Sequence, residues 1–162
     1  MSGAGPSLLF VCMGNICRSP TAEGVMRFLL EREAPTLRVR LDSAGTHSYH
    51  LGAAPDARSQ AAARKRGIDI AALRARRLEP TDFHAFDRIL VMDQRNLDDA
   101  RAVAPGDAAA RLQLFLDYAP QQPIREVPDP YYGEPDDFEQ VLDLSLAAAR
   151  GLLQQLRGLP PA

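Results

Sequence analysis

The stretch that most constrains this chain runs from residue 7 to residue 30. Ser7-Leu8-Leu9-Phe10-Val11-Cys12 is a short, continuous apolar run. A run of that length without alternation fits a strand buried on both faces, as in a parallel sheet. A polar, glycine-containing loop follows, from Met13 to Ser19. Pro20 then predicts a helix start, because proline is favoured at the first helical position. Ala22, Val25, Met26, Leu29 and Leu30 recur at helical spacing and give that helix one apolar face. Strand, loop and helix in immediate succession commit the chain to an α/β architecture.

The rest of the sequence extends the alternation. Arg38–Ser43 reads as a second strand. Asp56 is placed to cap a helix over 57–66 that Gly67 ends. A loop and a short helix lead to a third buried strand, Arg88–Met92. A helix over 94–103 and a fourth strand, Leu112–Leu116, follow. Pro120 to Pro135 is too proline-rich for a regular element. From Phe138, apolar residues at Val141, Leu142, Leu146, Ala149, Leu152, Leu153 and Leu156 predict a long helix up to Gly158. The expected fold is a single-domain α/β three-layer sandwich over residues 1–162, with a four-stranded parallel sheet, helices on both faces and a loose lead at 1–6. Such sheets bind ligands at the carboxyl ends of their strands, and Cys12 ends the first.

Composition narrows the function classes. A net charge of -2 gives no drive toward nucleic acid or an acidic membrane surface. Two cysteines make no disulfide scaffold, and His47, His50 and His84 share no metal-ligand spacing, so no metal or cofactor is expected. No apolar run approaches the ~20 residues of a membrane span. Residues 1–7 lack a basic start and Leu8–Met13 is too short for a signal segment, so a cytoplasmic protein is expected.

The loop after the first strand carries the chemistry. Its N–H groups, joined to the positive end of the following helix, form a cup for a tetrahedral oxyanion. Arg18 is placed to clamp that anion with its planar fork. Cys12 lies at the bottom of that cup, beside the positive end of the helix. Ser19 adds a hydroxyl beside it. A thiolate facing a bound phosphate is a nucleophile in line with phosphorus. Taken singly, Cys12 is a small core residue and Arg18 a surface cation; the combined pattern is far more specific. No Gly-Lys-Ser/Thr follows the glycine, which excludes a Walker-type loop. Downstream, Asp129 stands between Pro128 and Pro130, which stiffen the backbone and fix where an acid points. One carboxyl there can protonate a leaving phenolate and then activate water. Tyr131 and Tyr132 beside it offer aromatic walls.

The segment Val11-Cys12-Met13-Gly14-Asn15-Ile16-Cys17-Arg18-Ser19-Pro20, with Ala22-Glu23, resembles the signature of the low-molecular-weight protein tyrosine phosphatases. The resemblance continues through Asp42-Ser43-Ala44-Gly45-Thr46, Ala75-Arg76, Phe86-Asp87, Val91-Met92-Asp93 and Val127 to Gly133. It implies a protein-tyrosine phosphatase with a cysteinyl-phosphate intermediate. Cys12 is then the nucleophile, Arg18 the phosphate and transition-state ligand, and Asp129 the general acid. Ser19 steadies the thiolate, and Asn15, braced by Ser43, holds the strained loop. Met13, Gly14, Asn15, Ile16, Cys17 and Ser19 line the phosphate site, and Tyr49, Tyr131 and Tyr132 wall it. Cys17 is a candidate redox partner for Cys12. The implied partner is a phosphotyrosine-bearing protein, a bacterial tyrosine kinase among them, and the implied state is a monomer or weak dimer.

Leu73 is a departure, since the family frequently carries there a histidine that supports the phosphate loop. Three other readings are weaker. Thiol-dependent arsenate reductases need cysteines downstream, and none follows Cys17. Protein-arginine phosphatases typically carry threonine where Ile16 stands. A non-catalytic phosphopeptide-binding module has no need of Cys12 or Asp129.

Overall fold

The computed structural model describes residues 5–158. Four parallel strands lie in the order β2-β1-β3-β4: β1 Ser7–Cys12, β2 Arg40–Gly45, β3 Arg88–Val91 and β4 Leu112–Leu114. Every residue of β1 is buried, as its unbroken apolar run requires for a strand covered on both faces. Alternate residues of β1 feed the two cores. Leu8 and Phe10 pack with α1 (Arg18–Glu33), α2 (Ala57–Arg64) and α5 (Pro135–Leu156). Leu9 and Val11 pack with Phe83 of α3 (Asp82–Ala85) and Ala100 of α4 (Gln94–Val103). The three-layer α/β sandwich is the one expected.

The chain leaves β1 for β2 on one side and then crosses to β3 on the other. The loop after β1 therefore sits at the point where the strand order reverses, the usual crevice of an open α/β sheet. Register places Cys12 opposite Gly45 on β2, while Val11 pairs with Val91 on β3.

Several boundaries differ from the sequence reading. Helix α1 begins at Arg18, two residues before Pro20. Proline is tolerated there because the first N–H groups of a helix have no internal partner. Arg18 and Ser19 thereby become first-turn residues, fully buried. Strand β2 is shifted forward to Arg40–Gly45, since pairing with β1, not the local alternation, sets its span. Strand β3 ends at Val91, one residue early, and β4 stops at Leu114, where Phe115–Tyr118 tightens into a 3₁₀ turn. Helix α2 ends at Arg64 with Gly67 past its end at φ +81°, and α5 ends at Leu156 rather than near Gly158. Helix α5 starts early, at Pro135, because Glu134 and Asp137 cap each other's backbone reciprocally. The Asp56 cap of α2 forms as expected, accepting from Arg58 N–H at 2.8 Å. Of the lead at 1–6, residues 1–4 lie outside the described residues; the Pro6 carbonyl accepts from Arg40 N–H at 2.9 Å. Among the described residues, no helix is long and apolar enough to cross a membrane.

Candidate active site

The loop from Met13 to Cys17 is held from below by its own side chains. Asn15 stands at φ +59°, the sole non-glycine residue with positive φ among those described, a conformation that asparagine tolerates better than most. Its N–H donates to Cys12 Sγ at 3.3 Å. Its Nδ2 donates to Ser19 Oγ at 2.8 Å and to Ser43 Oγ at 3.0 Å, and its Oδ1 accepts from Arg76 N–H at 3.0 Å. Ser19 Oγ lies 3.1 Å from Cys12 Sγ. The loop is also pinned along its flank by Thr46 N–H on the Cys12 carbonyl, His47 N–H on the Met13 carbonyl and Asp56 N–H on the Ile16 carbonyl. Gly45 is required where β2 meets this loop: a Cβ there would lie 2.7 Å from the Met13 carbonyl oxygen.

Arg18 is 2% exposed. Its Nη1 donates to Asp93 Oδ2 at 2.6 Å and to the Val127 carbonyl at 2.9 Å, and its Nη2 lies 3.9 Å from Asp129 Oδ2. Burial opposes its charge, yet Cys12, Asp93 and Asp129 together hold the guanidinium above its ordinary range. Val127 completes a relay between sheet and loop. Its N–H donates to the carbonyl of Met92, the residue just past β3, and its carbonyl receives Arg18. This fixes Pro128-Asp129 over the cup. Asp129 Oδ1 accepts from Tyr131 N–H at 3.1 Å.

These groups converge on one cavity of about 310 Å³. Cys12, Met13, Gly14, Ile16, Cys17 and Arg18 form its floor, and Asp129, Tyr49, Tyr131 and Tyr132 its mouth. Asn15, Ser19 and Ser43 are not among the lining residues; they are buried beneath it. Tyr132 and Tyr49 are largely exposed. Tyr49 stacks on His47, and Tyr131 meets Tyr132 edge-on with centroids 4.9 Å apart.

Sequence reasoning gave His50 and Asp93 no role in the site. His50 lines the cavity, with its ring 6.3 Å from that of Tyr131; its signal was its place beside Tyr49. Asp93 anchors Arg18 while its other oxygen caps α4 through Asn96 N–H at 2.7 Å. Its signal was its place just past β3, at the same sheet edge as Cys12. Leu73 packs partly buried against the core. Both cysteines are free. Burial, with the Asp56 carboxylate adding to it, pushes the Cys17 thiol up to about 12. Among the described residues there is no group of three His, Cys, Asp or Glu arranged to hold a metal.

Residues 7–158 match the family model of the low molecular weight phosphotyrosine protein phosphatases. The chain belongs to that family. It is 40% identical over 156 residues to the low molecular weight phosphotyrosine protein phosphatase of Gallus gallus, spanning 95% of this chain and 98% of the relative. The protein tyrosine phosphatase of Entamoeba histolytica, solved with Hepes in the active site, superposes with a TM-score of 0.90 at 36% identity, covering 95% of this chain and 98% of that one. The tyrosine phosphatase Wzb of Escherichia coli K30, solved in complex with sulphate, superposes with a TM-score of 0.80 at 28% identity, covering 94% and 99%. The phosphatase thus carries its cavity where the family's shared fold places the end of the first strand, and it is a protein-tyrosine-phosphatase by family.

Proposed function

We propose that this phosphatase hydrolyses phosphotyrosine monoesters in two in-line steps through a cysteinyl-phosphate. The observation that carries the reading is the convergence of Cys12, Arg18 and Asp129 on one aromatic-mouthed cavity. In the first step Cys12 Sγ, as its anion, attacks phosphorus. The S–P bond forms, the P–O bond to tyrosine breaks, and the leaving oxygen takes the proton of Asp129. In the second step Asp129, now a carboxylate, accepts a proton from water. That water attacks phosphorus, the S–P bond breaks, and phosphate and the thiolate are released.

Each residue's surroundings support its part. Two groups, the Asn15 N–H and the Ser19 hydroxyl, face the sulfur and can hydrogen-bond the attacking thiolate. Arg18 Nη1 is held by Asp93 and Val127, which leaves the Nε–Nη2 edge for phosphate oxygens. The main chain of Met13, Gly14, Ile16 and Cys17 supplies the anion cup. Tyr49, Tyr131 and Tyr132 give a slot for an aryl ring. The sulfonate Hepes in the active site of the Entamoeba relative fits an oxyanion cup of this kind. The substrate is a phosphotyrosine-bearing protein, with a tyrosine kinase as one partner of that class. Two free thiols fit a reducing compartment such as the cytoplasm.

Burst kinetics with p-nitrophenyl phosphate test the reading. We expect turnover without added metal, a phosphocysteine trapped by acid quench, and no turnover by Cys12→Ser. Among phosphotyrosine, phosphoserine and phosphoarginine peptides, phosphotyrosine is expected to be preferred. Turnover that survives Cys12→Ser removes the nucleophile assignment.

A further inference from the structure

Arg76 lies outside the cavity, yet its main chain touches the loop that forms the cavity floor. Its N–H donates to Asn15 Oδ1 at 3.0 Å, and its carbonyl accepts from Gly45 N–H at 2.8 Å. Its guanidinium is clamped from two sides. Asp42 Oδ2, on β2, accepts from Nε at 3.1 Å, and Asp82, in the first turn of α3, accepts from Nη1 and Nη2 at 3.0 Å each. Asp82 is buried, and its Oδ2 also accepts from Glu79 N–H at 2.8 Å. The segment around Arg76 has no strand of its own beyond a single bridge between Gly45 and Arg77. Backbone bonds also hold this segment, with Ala75 N–H on the Ala53 carbonyl at 2.9 Å and Leu78 N–H on the Gly45 carbonyl at 2.8 Å, and the ion cluster adds the side-chain anchor at Arg76 itself.

We infer that Arg76 is a positioning residue for Cys12: its clamped side chain presents a main-chain donor that sets the orientation of the Asn15 amide and, through it, the direction of the Ser19 proton. This deepens the proposed function and rests on Cys12 being the thiolate nucleophile. A peptide N–H only donates, so the group of Asn15 facing Arg76 must be the oxygen. Nδ2 then faces Ser19 and Ser43, and Ser19 Oγ becomes an acceptor there. Ser19 has one hydrogen left to give. Cys12 Sγ is 3.1 Å away, whereas the competing Ala44 carbonyl lies at 3.5 Å. With the amide turned over, Nδ2 would meet Arg76 donor to donor, and Ser19 would spend its proton on Oδ1. The sulfur would lose one of its two donors.

The fork matters as well as the charge. Lysine, a point charge, cannot satisfy two carboxylates along fixed edges. Leu73, at the position where the family frequently has histidine, is apolar and packed against the core. Support of Asn15 from this segment comes instead from the Arg76 main chain.

Iodoacetate alkylation of Cys12 followed against pH reads the arrangement directly. Cys17 does not interfere at mildly acidic pH, because burial pushes its thiol up to about 12. The unmutated enzyme is expected to alkylate rapidly there; failure to do so overturns the nucleophile reading itself. In folded Arg76→Ala, the rate at that pH is expected to fall roughly tenfold, the scale of one hydrogen bond to a charged group. The midpoint of the profile moves upward and kcat falls with it, and Arg76→Lys lies between. Where Arg76→Ala does not fold, Asp42→Asn removes the half-exposed arm and leaves Asp82 in place; it is expected to move the profile the same way by less. A profile that stays put in folded Arg76→Ala, even with kcat reduced, overturns the inference. So does an unmoved profile in Asp42→Asn where Arg76→Ala cannot be obtained.

Discussion

Arg18 and Asp93 are joined at 2.6 Å, one partner almost wholly buried and the other about a quarter exposed. The pair orients the guanidinium, because Nη1 is committed to Asp93 and the other edge is presented to the cavity. Removing one partner of a fully buried pair costs about 3–5 kcal/mol. With Asp93 partly solvated, and with Val127 and Asp129 still facing the guanidinium, a smaller loss is expected. Asp93→Asn keeps a capping side chain for α4, whereas Asp93→Ala also loses the bond to Asn96 N–H. Thermal melts should therefore rank the variants unmutated, Asn, Ala. Titration with vanadate should show weakened anion binding in both, and equal binding in all three would remove the orienting role.

Asp129→Ala separates anion binding from proton transfer. Arg18 keeps its two anchors, and a negative charge 3.9 Å from it is removed. Inorganic phosphate is therefore expected to bind at least as tightly as before. Turnover should fall by about 10²–10⁴-fold for phenyl phosphate, whose leaving group needs the proton, and by less for p-nitrophenyl phosphate. A loss independent of the leaving group would deny Asp129 the acid role.

Cys17 predicts an alkaline weakness. Its thiol ionises near 9.0 in the absence of the fold's effects and near 12 within it. Below pH 9 both folded and unfolded states hold the proton, and stability is unaffected. Above pH 9 the unfolded chain releases it while the native state retains it. Native stability then declines up to about pH 12, by as much as ~4 kcal/mol across that window. Denaturant unfolding as a function of pH should show a steeper alkaline decline for the unmutated protein than for Cys17→Ala. Parallel slopes would show that Cys17 does not contribute. The same retained proton makes Cys17 a slow trap for an oxidised Cys12, because the thiolate is the reactive form.

The sequence made the sheet and the loop after β1 legible because both are local in character. An unbroken apolar run, a glycine loop and a proline within twenty residues need no partner to be read, and the 3.6-residue period of α1 and α5 is a property of each helix alone. Element edges were less legible. The span of β2 follows from pairing with β1, and the end of β4 follows from a 3₁₀ turn that no alternation announces. The supports of the site were least legible. Asp93 reads locally as a helix cap, and its second oxygen meets Arg18 only because β3 lies beside β1. Arg76 reads as one arginine of a basic stretch, and its N–H meets Asn15 only because backbone bonds to Gly45 and ion pairs with Asp42 and Asp82 hold that segment beside β2. Such contacts join residues 61 and 75 positions apart, a distance over which periodicity carries no information.

Asn15 combines two demands that substitution can separate. The first is conformational, since φ is +59°; an alanine there costs about 1–2 kcal/mol that glycine does not. The second is the side-chain network to Ser19, Ser43 and Arg76, which alanine and glycine both abolish. Losing it leaves buried groups unpaired at about 1–3 kcal/mol each where water cannot replace the partner. Both variants should therefore melt below the unmutated protein. Asn15→Gly should melt about 2–4 °C above Asn15→Ala for each 1 kcal/mol of relieved strain. Activity should follow the network instead of the backbone, so kcat for p-nitrophenyl phosphate is expected to fall at least tenfold in both and by similar factors. Were Asn15→Gly to keep full kcat, the loop would need only its backbone shape, and the amide would have no part in holding Ser19 toward Cys12.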